Sequence, residues 1–108
     1  MNVFLITYNL RRPDRNHTRI SFAIQSLGVW CHLMENVWIV KSDSSPEIIR
    51  NILLQYTDPD DTLFVTELSG ISAWSGFSLS DSDWLKNQFL LVSTNKKNIF
   101  GKANIRSA

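Results

Sequence analysis

Two unbroken apolar runs constrain the fold of this chain more than any other feature. Residues 3–6 are Val-Phe-Leu-Ile and residues 37–40 are Val-Trp-Ile-Val. Neither run has the polar alternation of a strand that faces water on one side, so both are typical of strands covered on both faces. We therefore expect them to be neighbouring central strands of one sheet.

The segment between the two runs predicts a helix over residues 16–27. Apolar side chains recur there at i, i+3, i+4 and i+7 and form one helical face: Ile20, Ala23, Ile24 and Leu27. Asp14 or Asn16 is the expected N-cap, and Gly28 stands where a helix C-terminus favours a left-handed residue. We expect a loop, residues 11–17, before this helix.

The remaining elements follow from turn and capping signals. Residues 29–42 are interpreted as a hairpin that turns near Glu35-Asn36, with a single bent strand as the alternative. Ser44 and Glu47 have capping-box spacing around a proline, which predicts a second helix over residues 46–56. Residues 62–68 predict the next strand.

The resulting order, strand-helix-strand-strand-helix-strand, predicts an α+β fold. It is that of a ferredoxin-like βαββαβ sandwich with a C-terminal extension. We expect the first and third strands side by side and parallel at the centre, with the second and fourth at the edges. The predicted domain covers residues 1–88 and includes an aromatic covering loop through Trp74 and Phe77 and a short helix over residues 80–88. Residues 89–108 are expected to be a basic extension, with a fifth strand at 89–94 and a loosely ordered tail.

Composition excludes several classes. No window approaches the roughly 18 consecutive apolar residues of a membrane span, and the N-terminus lacks the layout of a signal peptide. We therefore expect a cytoplasmic protein with no membrane partner. Cys31 is the only cysteine, which agrees with a reducing compartment. A structural role is favoured over a nucleophile assisted by His32, because adjacent strand residues point to opposite faces.

Charge is unevenly distributed along the chain. Residues 1–19 and 84–108 are basic, whereas the middle is acidic. Four arginines near the first predicted helix are candidate contacts for nucleic-acid phosphates: Arg11, Arg12, Arg15 and Arg19. Guanidinium groups bind phosphates through a bidentate fork. The alternative, ion pairs with the acidic middle of the same chain, is equally compatible with the sequence.

A candidate metal site lies at the end of the first strand. A carboxylate at such a position can hold Mg²⁺ for phosphodiester hydrolysis, but this chain has Asn9 there. An amide supplies no charge, so Asp14 or a partner subunit would have to contribute. Asp58, Asp60 and Asp61 are closely spaced carboxylates, for which a turn-forming role is favoured over a metal site. The two histidines lack zinc-site spacing.

The pattern as a whole resembles the small CRISPR-associated ferredoxin-like proteins, the Cas-two-like family. It is most similar to their stand-alone bacterial relatives, known as the SinR family. Four segments carry the resemblance, which covers about residues 1–77: FLITYNL at 4–10, AIQSLGVWCH at 23–32, VWIV at 37–40 and DDTLFV at 60–65.

The resemblance implies a homodimer whose first strands end near a shared cleft. In nuclease members an aspartate at that strand end, one from each subunit, holds a divalent metal such as Mg²⁺. In the spacer-integration complex the same fold is a duplex-binding subunit. The metal-binding aspartate falls on Asn9 here, so we expect nuclease activity to be lost or weak.

Three functions remain open from the sequence. The leading one is a homodimer that binds nucleic acid through the arginines of residues 11–19. The second is a metal-dependent nuclease for RNA or DNA, with Asn9 and Asp14 at the metal. The third is a toxin-antitoxin or other protein-interaction module that uses sheet edges and tryptophans. Phosphate binding should weaken steeply with salt, whereas an aromatic interface should not.

Overall fold

The computed structural model describes residues 1–92. Its elements are the strands β1 (Asn2–Asn9), β2 (Val29–Met34), β3 (Val37–Ser42) and β4 (Thr62–Glu67), and the helices α1 (Pro13–Gln25), α2 (Pro46–Leu53) and α3 (Leu79–Val92). A 3₁₀ turn, Leu54–Tyr56, continues α2. No helix in this part of the chain is long and apolar enough to cross a bilayer.

The four strands form one sheet in the order β2-β3-β1-β4. The expectation that β1 and β3 are central neighbours is confirmed, and so is the hairpin between β2 and β3. The expectation that β1 and β3 are parallel is wrong, because every pair in the sheet is antiparallel. Because the connection from β1 to β2 passes through α1, β2 runs in the same direction as β1. The hairpin then makes β3 run in the opposite direction. This α+β arrangement is compatible with a ferredoxin-like fold.

One face of the strand β1 is buried, as its apolar run predicts, whereas the other face is buried at Val3 and half-buried at Leu5 and Thr7. Phe4 and Ile6 on one face and Val3 on the other are at most 1% exposed. Phe4 and Ile6 belong to the main core, which joins this face of the sheet to α1 and α2 through Ile24 and Ile49. Burying such side chains contributes about 1.5–3 kcal/mol each relative to exposure.

Tyr8 and Trp38 form a buried polar link between the two central strands. The indole Nε1 of Trp38 donates to the hydroxyl of Tyr8 at 3.0 Å, and both side chains are at most 5% exposed. The imidazole ring of His32 stacks on the indole ring of Trp38, with the two ring centroids 3.9 Å apart. Successive side chains of a strand point to opposite faces, and Asn9, the next and last residue of β1, is exposed.

The ends of α1 differ from the prediction. The helix begins three residues early, at Pro13, and its N-cap residue is Arg12, whose side chain makes no capping hydrogen bond. Neither Asp14 nor Asn16 caps it. Gly28 is not left-handed either. Its importance is steric, because a Cβ at this position would overlap the carbonyl oxygen of Lys41 on β3.

The start of α2 at Pro46 is confirmed, with a one-residue correction to the cap. Ser45, rather than Ser44, is the N-cap, and its hydroxyl accepts from the backbone N–H of Ile48 at 3.2 Å. Residues 54–56 continue as the 3₁₀ turn, so the α-helix itself ends at Leu53.

The chain divides into two compact units, one of residues 1–67 and one that begins at Leu68. In the second unit the predicted short helix is longer than expected, and its residues 89–92 take the place of the predicted fifth strand. That strand prediction is wrong for residues 89–92, because Ser82, Leu85 and Phe89 form one buried helical stripe. Trp74 donates to the hydroxyl of Ser82 at 3.2 Å and packs on Phe89. The rest of the predicted strand and the predicted tail lie outside the described residues.

Candidate functional site

Three aspartates form a compact turn between the 3₁₀ turn and β4. We call this segment, Asp58, Asp60 and Asp61, the acidic loop. The backbone N–H of Asp58 donates to a carboxylate oxygen of Asp61 at 2.7 Å, and the N–H of Asp61 donates to the carbonyl of Asp58 at 3.0 Å. These are hydrogen bonds of a turn held by an aspartate side chain. The geometry fits the turn-forming role that the sequence favoured.

Asn16 connects the acidic loop to α1. Its side chain is fully buried. The amide nitrogen donates to Oδ2 of Asp58 at 2.8 Å, while its Oδ1 accepts from Nη1 of Arg19 at 3.3 Å. The buried amide of Asn16 therefore bonds a carboxylate through its nitrogen and a guanidinium through its oxygen.

The start of α1 is also bonded to the acidic loop, through Arg12 and Arg11. Nη1 of Arg12 lies 3.2 Å from Oδ2 of Asp58 and 3.4 Å from Oδ1 of Asp60. The backbone N–H of Arg11 donates to Oδ1 of Asp61 at 2.8 Å. Arg12 is 54% exposed, and such exposed ion pairs contribute only about 0–1 kcal/mol. For Arg12 the structure supports the alternative of an ion pair with the acidic middle of the chain.

These contacts lower the pKa of Asp58 below its ordinary value of 3.8. The hydrogen bond from Asn16 is the largest cause, and the positive charges of Arg15 and Arg12 act in the same direction. Burial opposes them, because it disfavours the charged form. Asp58 is thus held as a carboxylate by its neighbours.

Arg12, Arg15 and Arg19 follow one another at helical spacing, and we call them the α1 arginine row. The side chains of Arg15 and Arg19 are exposed. Arg15 lines a cleft of about 400 Å³ with Arg12 and the acidic loop. Within the described residues, the guanidinium of Arg15 has no hydrogen bond or ion pair, and the guanidinium of Arg19 has only its bond to Asn16. Both guanidinium groups therefore keep donors for an external anion.

A groove beside Arg19 continues the row along α1. It has a volume of about 470 Å³ and six lining residues: Thr18, Arg19, Phe22, Ala23, Ser26 and Tyr56. Phe22 is 74% exposed, whereas Tyr56 of the 3₁₀ turn is half-buried against the core. We call this the Phe22 groove. It places two aromatic rings next to a cation.

Asn9 lies in another cleft, at the end of β1, whose lining contains no residue of the α1 arginine row. Its neighbour in register is Thr62 of β4. The cleft, about 230 Å³, is lined by Thr7, Tyr8, Asn9, Thr62, Leu63 and Phe64. No carboxylate of residues 1–92 is among these lining residues, and Asp14 lies instead in the first turn of α1. The cleft of a single chain thus offers an amide and hydroxyls to a cation.

The acidic loop is the one group of three or more possible metal-ligating acids, histidines or cysteines within residues 1–92. Its ligand atoms lie within 4.8 Å of one another. Each of its carboxylates is already engaged, by Asn16, by Arg12 or by backbone N–H groups. The predicted pair Asn9 and Asp14 does not belong to this group.

The two histidines, fifteen residues apart in sequence, come near each other in the fold. The ring centroids of His17 and His32 are 6.5 Å apart.

Comparisons with protein-family models, with curated proteins and with solved structures found no match to this chain.

The sequence analysis does not assign two residues of this site to it. It predicts Asn16 as a helix cap, although Asn16 stands four residues before Ile20 and so continues the apolar stripe of α1. A polar residue on a buried stripe indicates a buried hydrogen bond. Phe22 stands off that stripe, and an aromatic residue on the outer face of an amphipathic helix is a signal of a contact surface.

Proposed function

We propose that this protein is a cytoplasmic homodimer of the CRISPR-associated, ferredoxin-like type that binds nucleic acid, with lost or weak nuclease activity. Arg15 and Arg19 are the phosphate contacts in this proposal. The observation that carries it is that both guanidinium groups are exposed on one side of α1 and retain unused donors. Side chains four apart on a helix have Cβ atoms about 5–6 Å apart. Arginines at that spacing reach neighbouring phosphates of one strand.

Arg12 has a supporting part in the proposal. Its guanidinium is engaged by Asp58 and Asp60, so a phosphate would have to compete with two carboxylates for it. Arg12 therefore anchors the acidic loop, and Arg11 is a peripheral contact at the exposed start of the helix. The acidic loop also limits the positive potential, which favours modest, salt-sensitive affinity.

Weak or absent hydrolysis follows from Asn9 in this proposal. A Mg²⁺ site for phosphodiester hydrolysis uses one or two carboxylates together with substrate phosphates. The lining of the Asn9 cleft supplies none from residues 1–92 of one chain. A second chain of the same sequence would bring a second amide.

A protein-interaction module is a second candidate, and the two sheet edges favour it. Each edge strand carries an exposed aromatic side chain: Trp30 on β2 is 41% exposed, and Phe64 on β4 is 59% exposed. Edge strands also present unpaired backbone groups that another chain can use. The same edges are the natural surfaces for the proposed homodimer.

Anisotropy titrations distinguish these functions. Labelled single-stranded RNA and duplex DNA are titrated with the protein in Mg²⁺ and in EDTA, and each sample is then run on a denaturing gel. Salt-sensitive binding with intact strands supports the proposal. Cleavage that requires Mg²⁺ overturns the loss of nuclease activity, and absence of both binding and cleavage favours the interaction module.

A further inference from the structure

We infer that the Phe22 groove takes one unpaired base of a single-stranded nucleic acid, while Arg15 and Arg19 hold the adjoining phosphates. This inference rests on the proposed function and specifies its ligand as a single strand. It adds Phe22 and Tyr56 to the contact surface.

The first argument is the exposure of Phe22. Its ring is 74% exposed on the same helix as the arginine row. The ring is not needed for the core, since the stripe that packs on the sheet contains Ile20 and Ile24 instead. Aromatic rings are the usual platforms on which unpaired bases stack, and stacking tolerates any base because each has a flat π-face.

The second argument is the shape and chemistry of the groove. Phe22, Ala23 and the half-buried Tyr56 line the same groove, which has a volume of about 470 Å³. This volume is within the range of clefts that bind small organic ligands. The groove thus offers aromatic and apolar surface to a planar group.

The third argument is charge complementarity at the rim. Arg19 lines the same groove, and Arg15 stands one helical turn before it. Asn16 holds Arg19 through a single hydrogen bond of 3.3 Å, which leaves four of its five donors for an anion. A nucleotide combines a planar apolar base with a phosphate, which matches this pairing of rings and guanidinium groups. An apolar partner helix would use the rings but leave the arginines without a counter-charge.

A single strand fits better than a duplex because of base accessibility. In a duplex the faces of the bases are stacked on one another, so an aromatic ring reaches them only after unstacking. The groove alone supplies one such stacking position. We therefore expect Phe22 to matter for single strands and to be neutral for duplexes.

The test uses the full chain with labelled oligouridine RNA and a DNA duplex of the same length, followed by anisotropy. Four variants are compared with the wild type: Phe22→Ala, Phe22→Tyr, Ile48→Ala and the double variant Arg15→Gln/Arg19→Gln. Ile48 is the matched control, because it is an exposed large apolar residue on α2 that does not line the Phe22 groove. Thermal melting verifies that each variant is folded.

The inference predicts that Phe22→Ala weakens oligouridine binding roughly 5- to 100-fold. Duplex binding is unchanged, and Phe22→Tyr and Ile48→Ala stay near the wild type for the single strand. If Phe22→Ala binds oligouridine like the wild type while the arginine variant loses affinity, the inference is overturned and the proposed function stands. Equal losses in Phe22→Ala and Ile48→Ala also overturn it. If the wild type binds neither probe, the proposed function itself fails.

Discussion

The side-chain nitrogen of Asn16 lies 2.8 Å from a carboxylate oxygen of Asp58, across 42 residues of the chain. This bond joins α1 to the loop before β4. Because the same amide accepts from Arg19, it connects the acidic loop to the surface proposed to bind phosphate. The fold and the proposed binding surface therefore share one buried side chain.

Replacing Asn16 by alanine should lower the free energy of unfolding by about 1–3 kcal/mol, since a buried side chain with two hydrogen-bond partners is lost. Urea denaturation followed by circular dichroism measures the change. Asn51→Ala is the matched control, because Asn51 is exposed on α2. Equal stabilities of the two variants would show that the Asn16 link contributes little.

Acid should destabilise the protein partly through Asp58. Because its folded pKa lies below the ordinary 3.8, its contribution is complete above that value and is lost as the pH falls through the lower folded pKa. Urea denaturation over a pH series should therefore show a steeper acid loss in the wild type than in Asp58→Asn. If the free energies of unfolding of the two proteins fell equally with pH, Asp58 would not be a source of the acid destabilisation.

Gly28→Ala should lower the free energy of unfolding by about 1–3 kcal/mol, because the added methyl group overlaps a backbone carbonyl on β3. Lys41→Ala should not rescue the variant, since the overlapping atom belongs to the Lys41 backbone. Thermal or urea denaturation of both single variants and the double variant gives the comparison. Recovery of stability in the double variant would place the clash at the lysine side chain instead.

The main elements of the fold were predictable because they depend on local patterns. The apolar run of β1 and the proline start of α2 specify their elements within a few residues. The direction of β3 relative to β1 was predicted wrongly, although a helical crossover followed by a hairpin already implies that the two strands are antiparallel. The helical state of residues 89–92 was missed. Phe89 is buried as part of a stripe that begins at Ser82, inside the predicted short helix.

The candidate site was predictable in part. The arginines were identified by their residue type and spacing, but their partners in the acidic loop lie more than forty residues away. No local pattern pairs Arg12 with Asp58 rather than with a phosphate. The sequence left those two roles open for this reason, and only the tertiary contacts show that Arg12 pairs with the acidic loop.

Asn9→Asp should raise Mg²⁺-dependent hydrolysis of labelled RNA or DNA above the wild type, because it supplies a negative charge to the cleft at the end of β1. Asn9→Ala, which removes the ligand altogether, should stay at the wild-type level. Denaturing gels with Mg²⁺ and with EDTA measure both. Wild-type cleavage as fast as that of Asn9→Asp, and lost in Asn9→Ala, would make the amide a functioning metal ligand.

Phosphate binding by Arg15 and Arg19 is tested most directly by the salt dependence of oligouridine affinity. For the wild type, log K should fall linearly with log salt concentration, and each lost phosphate contact should reduce the slope by about one. We predict that Arg15→Gln/Arg19→Gln has a slope smaller by about two, while Arg50→Gln, a control on the exposed side of α2, keeps the wild-type slope. The same slope in all three proteins would contradict the account.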